Sequence, residues 1–207
     1  MSVKVKICGI TSVADGQMAA AAGADMIGLM FYDQSPRHIT LPQAAEIARE
    51  LPPFVLRVGV FVNPDEDLVM RAITQCGLNL LQFHGDEPSE FCTRFGVFSL
   101  KALRVRDEES LQTLENFQTD AFLLDACSKT GLGGTGETFN WDLAITARKF
   151  AKPIFLAGGL TPENVEEAVR KVRPFAVDVS SGVESAPGKK DPAKVVAFIS
   201  AARRGST

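Results

Sequence analysis

The sequence has 207 residues, 45% hydrophobic and 23% charged, with a formal net charge of −3. That is enough chain for one domain with a full core and short for two, and so small a charge gives no field that favours nucleic acid or a membrane surface. No apolar run reaches transmembrane length, and the start Met1-Ser2-Val3-Lys4 lacks a signal-peptide core. Four cysteines (Cys8, Cys76, Cys92, Cys127) show no metal-ligand spacing, and only two histidines could join them. The expectation is a cytoplasmic monomer with reduced thiols, no metal, and no nucleic-acid or membrane partner.

Residues 3–7 form a β-branched run with alternating lysines, the pattern of a short strand. Cys8 stands at its end, Gly9 lets the chain turn, and Thr11 or Ser12 can cap an alanine-rich helix over 14–22, closed by Gly23. Residues 25–31 read as a second strand. A loop through Ser35-Pro36-Arg37-His38 leads to a helix over 41–51, stopped by Pro52-Pro53. Strands at 57–62, 78–83 and 97–103 follow, interleaved with helices from Asn63-Pro64 to about Gln75, over 88–94 and over 108–117. The sixth strand, 121–125, runs into the longest loop, 126–139, whose glycines at 131, 133, 134 and 136 suit a lid over a site. A helix at 141–150 and a strand at 153–157 come next. Gly158-Gly159 turns the chain and Thr161-Pro162 caps another helix. A strand at 175–179 and a helix from Asp191-Pro192 to near Arg203 complete the sequence.

Eight strand-then-helix units, with no linker or composition shift between them, close naturally as a single (β/α)8 barrel domain over 1–207. At about 26 residues per unit it is compact against the usual total of roughly 250 residues. An open doubly wound sheet would need a glycine fingerprint after the first strand, and Cys8-Gly9-Ile10-Thr11 is not one.

In a barrel, the C-terminal strand ends and the loops after them converge on one mouth. Here they bring Cys8, Arg37, His84, Asp125, Gly158-Gly159 and Asp178 with Ser180-Ser181-Gly182. The late glycine and serine turns suit close backbone approach to an anion, and a phosphate after strands 7 and 8 recurs in this fold. The alternative is that these glycines only make tight turns. Arg37 suits a bidentate grip on a carboxylate, or is a loop arginine in solvent. His84 either binds substrate or makes a structural hydrogen bond. Cys8 by itself reads first as a small buried hydrophobe, while Cys76 and Cys92 fall in helices as packing residues.

Taken together the motifs resemble the phosphoribosylanthranilate isomerase family of tryptophan biosynthesis. The likeness rests on Lys6-Ile7-Cys8-Gly9-Ile10-Thr11, Ser35-Pro36-Arg37, Gln82-Phe83-His84-Gly85, Leu124-Asp125, Gly133-Gly134-Thr135-Gly136, Leu156-Ala157-Gly158-Gly159-Leu160 and Asp178-Val179-Ser180-Ser181-Gly182-Val183-Glu184. The resemblance implies a cofactor-independent Amadori rearrangement of a phosphoribosyl-anthranilate. In it Cys8 is the general base, Asp125 the general acid and Arg37 the holder of the anthranilate carboxylate. Gln82, His84 and Asp178 bind substrate, and Gly158, Gly159, Ser180, Ser181 and Gly182 bind its phosphate. The rival readings are another phosphosugar barrel enzyme or a non-catalytic phosphate-ligand-binding protein. The related isomerase of histidine biosynthesis has an aspartate where Cys8 stands. Indole-glycerol-phosphate synthase uses lysine and glutamate pairs not found here.

Alternation in the first strand carries one further expectation. If Cys8 points into the barrel, Lys6 points in beneath it. A lysine there must find a partner, and Asp178 on the neighbouring last strand is placed to supply it, orienting Asp178 and favouring a Cys8 thiolate. The alternative has the lysines reaching solvent at the barrel floor.

Overall fold

The computed structural model describes residues 2–126 and 141–206. Eight parallel strands close in sequence order into a barrel. They are β1 (Lys4–Cys8), β2 (Met26–Met30), β3 (Leu56–Phe61), β4 (Leu80–Phe83), β5 (Phe98–Val105), β6 (Ala121–Ala126), β7 (Ile154–Leu156) and β8 (Ala176–Val179). The helices alternate with them as α1 (Val13–Ala21), α2 (Leu41–Glu50), α3 (Glu66–Cys76), α4 (Ser89–Thr93), α5 (Glu108–Gln112), α6 (Trp141–Ala147), α7 (Val165–Val172) and α8 (Pro192–Arg204). The 3-10 turns Thr113–Asn116 and Arg148–Phe150 prolong α5 and α6 to the lengths their sequences suggest. The expected lid from residue 127 onwards, with Cys127, lies outside the described residues.

Strand side chains divide between two cores because consecutive residues face opposite sides of the sheet. The inner one holds Met26, Val58, Leu80, Leu100, Leu123 and Phe155. The outer one packs Val5, Ile7, Ile27, Leu81 and Phe122 against apolar helix faces such as Ala44, Ile47, Val69 and Ala72. The helices start where short polar side chains accept from their first backbone N–H groups: Ser12 on α1, Thr40 with Gln43 as a capping box on α2, Asp65 on α3 and Asp191 on α8.

Two local features differ from the sequence reading. Helix α7 begins at Val165 and not at Pro162, because Asn164 folds back on the turn before it. Its Oδ1 accepts from Thr161 N and its Nδ2 donates to the Gly159 carbonyl. Beyond β8, a 3-10 turn at Ser181–Val183 leads into a small antiparallel hairpin, β9 (Glu184–Ala186) with β10 (Lys189–Lys190).

The end of the barrel opposite the mouth exposes three phenylalanines that the sequence does not announce. Phe54 is 93% exposed, Phe98 70% and Phe175 50%, each at or just before the start of a strand. Among the described residues no helix is long and apolar enough to cross a membrane.

Asp191 accepts from both Ala193 N and Lys194 N at the start of α8. Asp191→Ala should cost about 1 kcal/mol and lower the melting temperature by about 2–4 °C, as read by calorimetry.

Candidate active site

The C-terminal strand ends converge on a cavity of about 260 Å3, near the lower end of small-molecule sites. Cys8, Arg37, Gln82, His84, Asp125, Gly158, Gly159, Asp178, Ser180, Ser181 and Gly182 all line it. Larger concavities of about 680 and 720 Å3 open at the opposite end. Neither brings a thiol near a carboxyl, so the chemistry points to the smaller one.

Lys6 faces inward and is fully buried. It is in register with Asp178 across the β1–β8 seam, and its Nζ donates to Asp178 Oδ1 at 2.8 Å. The inward reading of strand parity therefore holds. Burial alone would lower the ammonium's pKa, but the Asp178 carboxylate and the neighbouring Cys8 outweigh it and hold it above its ordinary value. Glycine at 28 makes the room. A Cβ there would lie 2.8 Å from Cys8 Sγ and 3.1 Å from Lys6 Nζ.

Cys8 does not gain the net thiolate bias expected of it. Burial pushes its thiol up, Lys6 pulls it down, the Asp178 carboxylate pushes it up again, and the sum is a raised pKa. Burial also pushes Cys76 in α3 up to about 11 and Cys92 in α4 to about 12, the latter despite the opposing charge of Lys101.

Arg37 is only partly free. Its Nε and Nη2 donate to the two oxygens of Glu184 at 2.8 and 2.6 Å. Lys190 Nζ donates to the same carboxylate at 2.7 Å and to the Ser180 carbonyl at 3.3 Å. Burial pushes the Glu184 carboxyl up, but hydrogen bonds from Arg37 and Lys190 prevail and hold it below the ordinary carboxylate range. Glu184 stands in the last sequence motif without an assigned role, and Lys190 enters the sequence reading only, with Lys189, as a rival place for the anion. Their signal was a glutamate and a lysine closing a short loop after the eighth strand, which identifies no partner.

On the far side of the mouth, His84 Nε2 lies 3.4 Å from Asp125 Oδ2, and His84 Nδ1 lies 3.3 Å from Gln82 Nε2. The ring thus bridges the Gln82 amide and the Asp125 carboxyl, one nitrogen to each. Gln82 Oε1 and Ser180 Oγ are buried and have no partner among the described residues. Polar atoms left so are uncommon in folded proteins, and both belong to residues lining the cavity. The two turns expected to hold an anion flank the same wall, but the donors differ from expectation. With α7 starting at Val165, the Gly158-Gly159 turn, at φ 79° and 66°, stands there without a helix N-terminus behind it. At Gly182 a Cβ would strike the Leu160 carbonyl, so the two turns pack backbone to backbone.

A closed eight-stranded barrel whose mouth gathers a thiol and carboxyls has the architecture of the (β/α)8 enzymes. A family model described as N-(5′-phosphoribosyl)anthranilate (PRA) isomerase matches residues 5–201. An N-(5′-phosphoribosyl)anthranilate isomerase from Geotalea uraniireducens (strain Rf4) is 56% identical over 200 residues, covering 97% of this chain and 98% of the relative. Among solved structures, the phosphoribosyl anthranilate isomerase of Thermotoga maritima superposes with a TM-score of 0.89 at 44% identity, over 97% of this chain and 98% of that one. A phosphoribosyl anthranilate isomerase in complex with reduced 1-(o-carboxyphenylamino)-1-deoxyribulose 5-phosphate gives 0.85 at 42% identity, with the same coverage. The chain belongs to the N-(5′-phosphoribosyl)anthranilate isomerase family.

The Lys6–Cys8 geometry has a direct readout. Lys6→Met should raise the Cys8 pKa further, since the ammonium that pulls it down is gone, and slow its alkylation at pH 8 by roughly tenfold or more. It should also lower stability by about 3–5 kcal/mol, because Asp178 is left unpaired. An alkylation rate equal to the parent's in the folded variant would mean that the ammonium does not act on the thiol.

Proposed function

We propose that this chain catalyses the isomerase step of tryptophan biosynthesis, the Amadori rearrangement of N-(5-phosphoribosyl)anthranilate to 1-(2-carboxyphenylamino)-1-deoxyribulose 5-phosphate. The observation that carries the reading is the placing of Cys8 and Asp125 in one mouth with an arginine and two anion-suited turns, in a chain of this family. In this reading Asp125 protonates the furanose ring oxygen. The C1′–O bond breaks, and the anilino nitrogen's lone pair forms the C=N bond of an open-chain iminium. Cys8 takes the C2′ proton, and those electrons make the C1′=C2′ bond of an enolamine. Protonation at C1′ and loss of the hydroxyl proton give the ketone. Protons move and no electrons leave the substrate, so the rearrangement needs no cofactor.

The supporting roles follow from charge and reach. Arg37 takes the anthranilate carboxylate, and Gly158, Gly159, Ser180, Ser181 and Gly182 cradle the 5′-phosphate, mainly through backbone N–H groups. Asp178, held on one oxygen by Lys6, receives a sugar hydroxyl, while Gln82 and His84 offer the polar atoms between. The raised Cys8 pKa fits a base that acts only on an activated proton. The iminium next to C2′ supplies that activation, and its positive charge favours the thiolate.

The residues assigned here all lie around one mouth of the barrel, and the reading is of a monomeric, single-domain enzyme. Light scattering should give one chain's mass. A two-chain mass would direct attention to Phe54, Phe98 and Phe175 at the other end.

Purified protein should deplete the intrinsic fluorescence of phosphoribosylanthranilate. Cys8→Ala and Asp125→Asn should each lower kcat by about two to four orders of magnitude, and near-parental turnover in either would remove its assigned role. Inorganic phosphate should inhibit competitively, and a non-competitive pattern would place the anion elsewhere.

A further inference from the structure

We propose that Glu184, anchored by Lys190 in the hairpin after β8, is a positioning residue that turns the free edge of Arg37 towards the substrate. The inference rests on the reading of Arg37 as the holder of the substrate carboxylate. A guanidinium has five N–H donors and two edges able to grip a carboxylate. Glu184 occupies the Nε–Nη2 edge with both of its oxygens. Among the described residues the Nη1–Nη2 edge is left for a second carboxylate, so the direction in which Arg37 presents it is set by where Glu184 stands.

Glu184 is held from several sides. Oε1 accepts from Lys190 Nζ at 2.7 Å and from Gly188 N at 3.3 Å, and the Glu184 carbonyl accepts from Lys194 Nζ at 2.9 Å. The carboxylate and the Lys190 ammonium are both buried. The hairpin itself is tied to the first strand's loop and helix, since Thr11 Oγ1 donates to the Gly188 carbonyl and Lys190 N donates to Asp15 Oδ2. On the other side of Arg37, Gly9 at φ 72° lets the stem cross closely. A Cβ there would lie 2.5 Å from Arg37 Cδ.

Charge supports the same assignment. Two cations face one carboxylate, so the cluster carries a local excess of one positive charge, which a substrate carboxylate would balance. Without the Glu184 charge, Arg37 and Lys190 would repel one another, and the guanidinium would lose the partner that aims it.

The test is a double-mutant cycle with Arg37→Met, Glu184→Gln and the double variant, measured with phosphoribosylanthranilate. Glu184→Gln should raise KM about tenfold, the size of one lost charge-assisted contact, with kcat within about twofold and the competitive Ki of inorganic phosphate unchanged. In the Arg37→Met background the same change should add nothing. Parental KM in Glu184→Gln while Arg37→Met raises it would overturn the assignment to Glu184 alone, as would a full tenfold effect persisting in the double variant. Parental KM in Arg37→Met would instead remove the carboxylate reading, and this inference with it. A role in stability only would lower the melting temperature and leave the KM split absent. Should Glu184→Gln not fold, Glu184→Asp keeps the charge but draws it back. It should raise KM at least threefold at unchanged kcat, and parental KM there would count equally against the proposal.

Discussion

The seam between β1 and β8, where the two ends of the chain meet, is held from inside by one ion pair. Lys6 and Asp178 are register neighbours there, with their charges 2.8 Å apart in the barrel interior. A lone ammonium at that depth would carry a desolvation cost of several kcal/mol, and a lone carboxylate likewise. Neither residue is tolerable without the other, so each fixes the rotamer of its partner and the register of the closing strands. The same pair forms the floor of the mouth. Because Lys6 takes one oxygen of Asp178, the other is left towards the cavity that Asp178 lines.

That floor also decides the character of Cys8. Its position at the end of β1 is dry, and dryness favours the neutral thiol more than Lys6 favours the thiolate. A group proposed to act as a base must give up its own proton before it takes one from carbon, and a raised pKa has a use there as well as a cost. A base with a raised pKa takes a carbon-bound proton with greater driving force once it is ionised, and Lys6 limits how far burial can carry the shift. Gly28 then matters for a steric reason. Any side chain there would press on both the sulfur and the ammonium.

The barrel was legible because its signals repeat. Strand and helix periods alternate eight times, and strand boundaries such as 25–31 against Met26–Met30 differ only at the ends. Lys6 was legible from parity alone, since every second residue of a strand shares a face. Interactions whose partners are far apart in sequence were not. The Arg37–Glu184 contact spans 147 positions, and strands of two or three residues, as in the β9–β10 hairpin, are too short to show a period. The start of α7 was misread because Thr161-Pro162 has the composition of a cap, whereas Asn164 hydrogen-bonds back into the turn and delays the helix to Val165. The direction of the Cys8 shift was out of reach for another reason. It is a difference between burial and charge, and a sequence gives neither depth nor distance.

The loops around the mouth have no sheet ladder to satisfy their backbones, and the structure meets this on two sides with a buried carboxylate acting as a hub. Glu184 binds Arg37, Lys190 and Gly188 N, joining the loops after β2 and β8, and Thr11 in the loop after β1 donates to the Gly188 carbonyl of the same hairpin. Glu87 accepts from Gly85 N and Asn63 N and pairs with Lys101 at 2.7 Å, joining the loops after β3 and β4 to β5. A glutamate suits this task because its two oxygens offer about four acceptor sites, enough to serve several donors of different elements at once. Each hub also fixes a neighbour that faces the cavity: Arg37 through the guanidinium itself, and His84 through the peptide that follows it. Asp125, the proposed acid, belongs to neither hub. Its carboxyl is 30% exposed and meets His84 at 3.4 Å, so the group proposed to follow a moving ring oxygen is the more loosely held, while those proposed to aim the substrate are fixed.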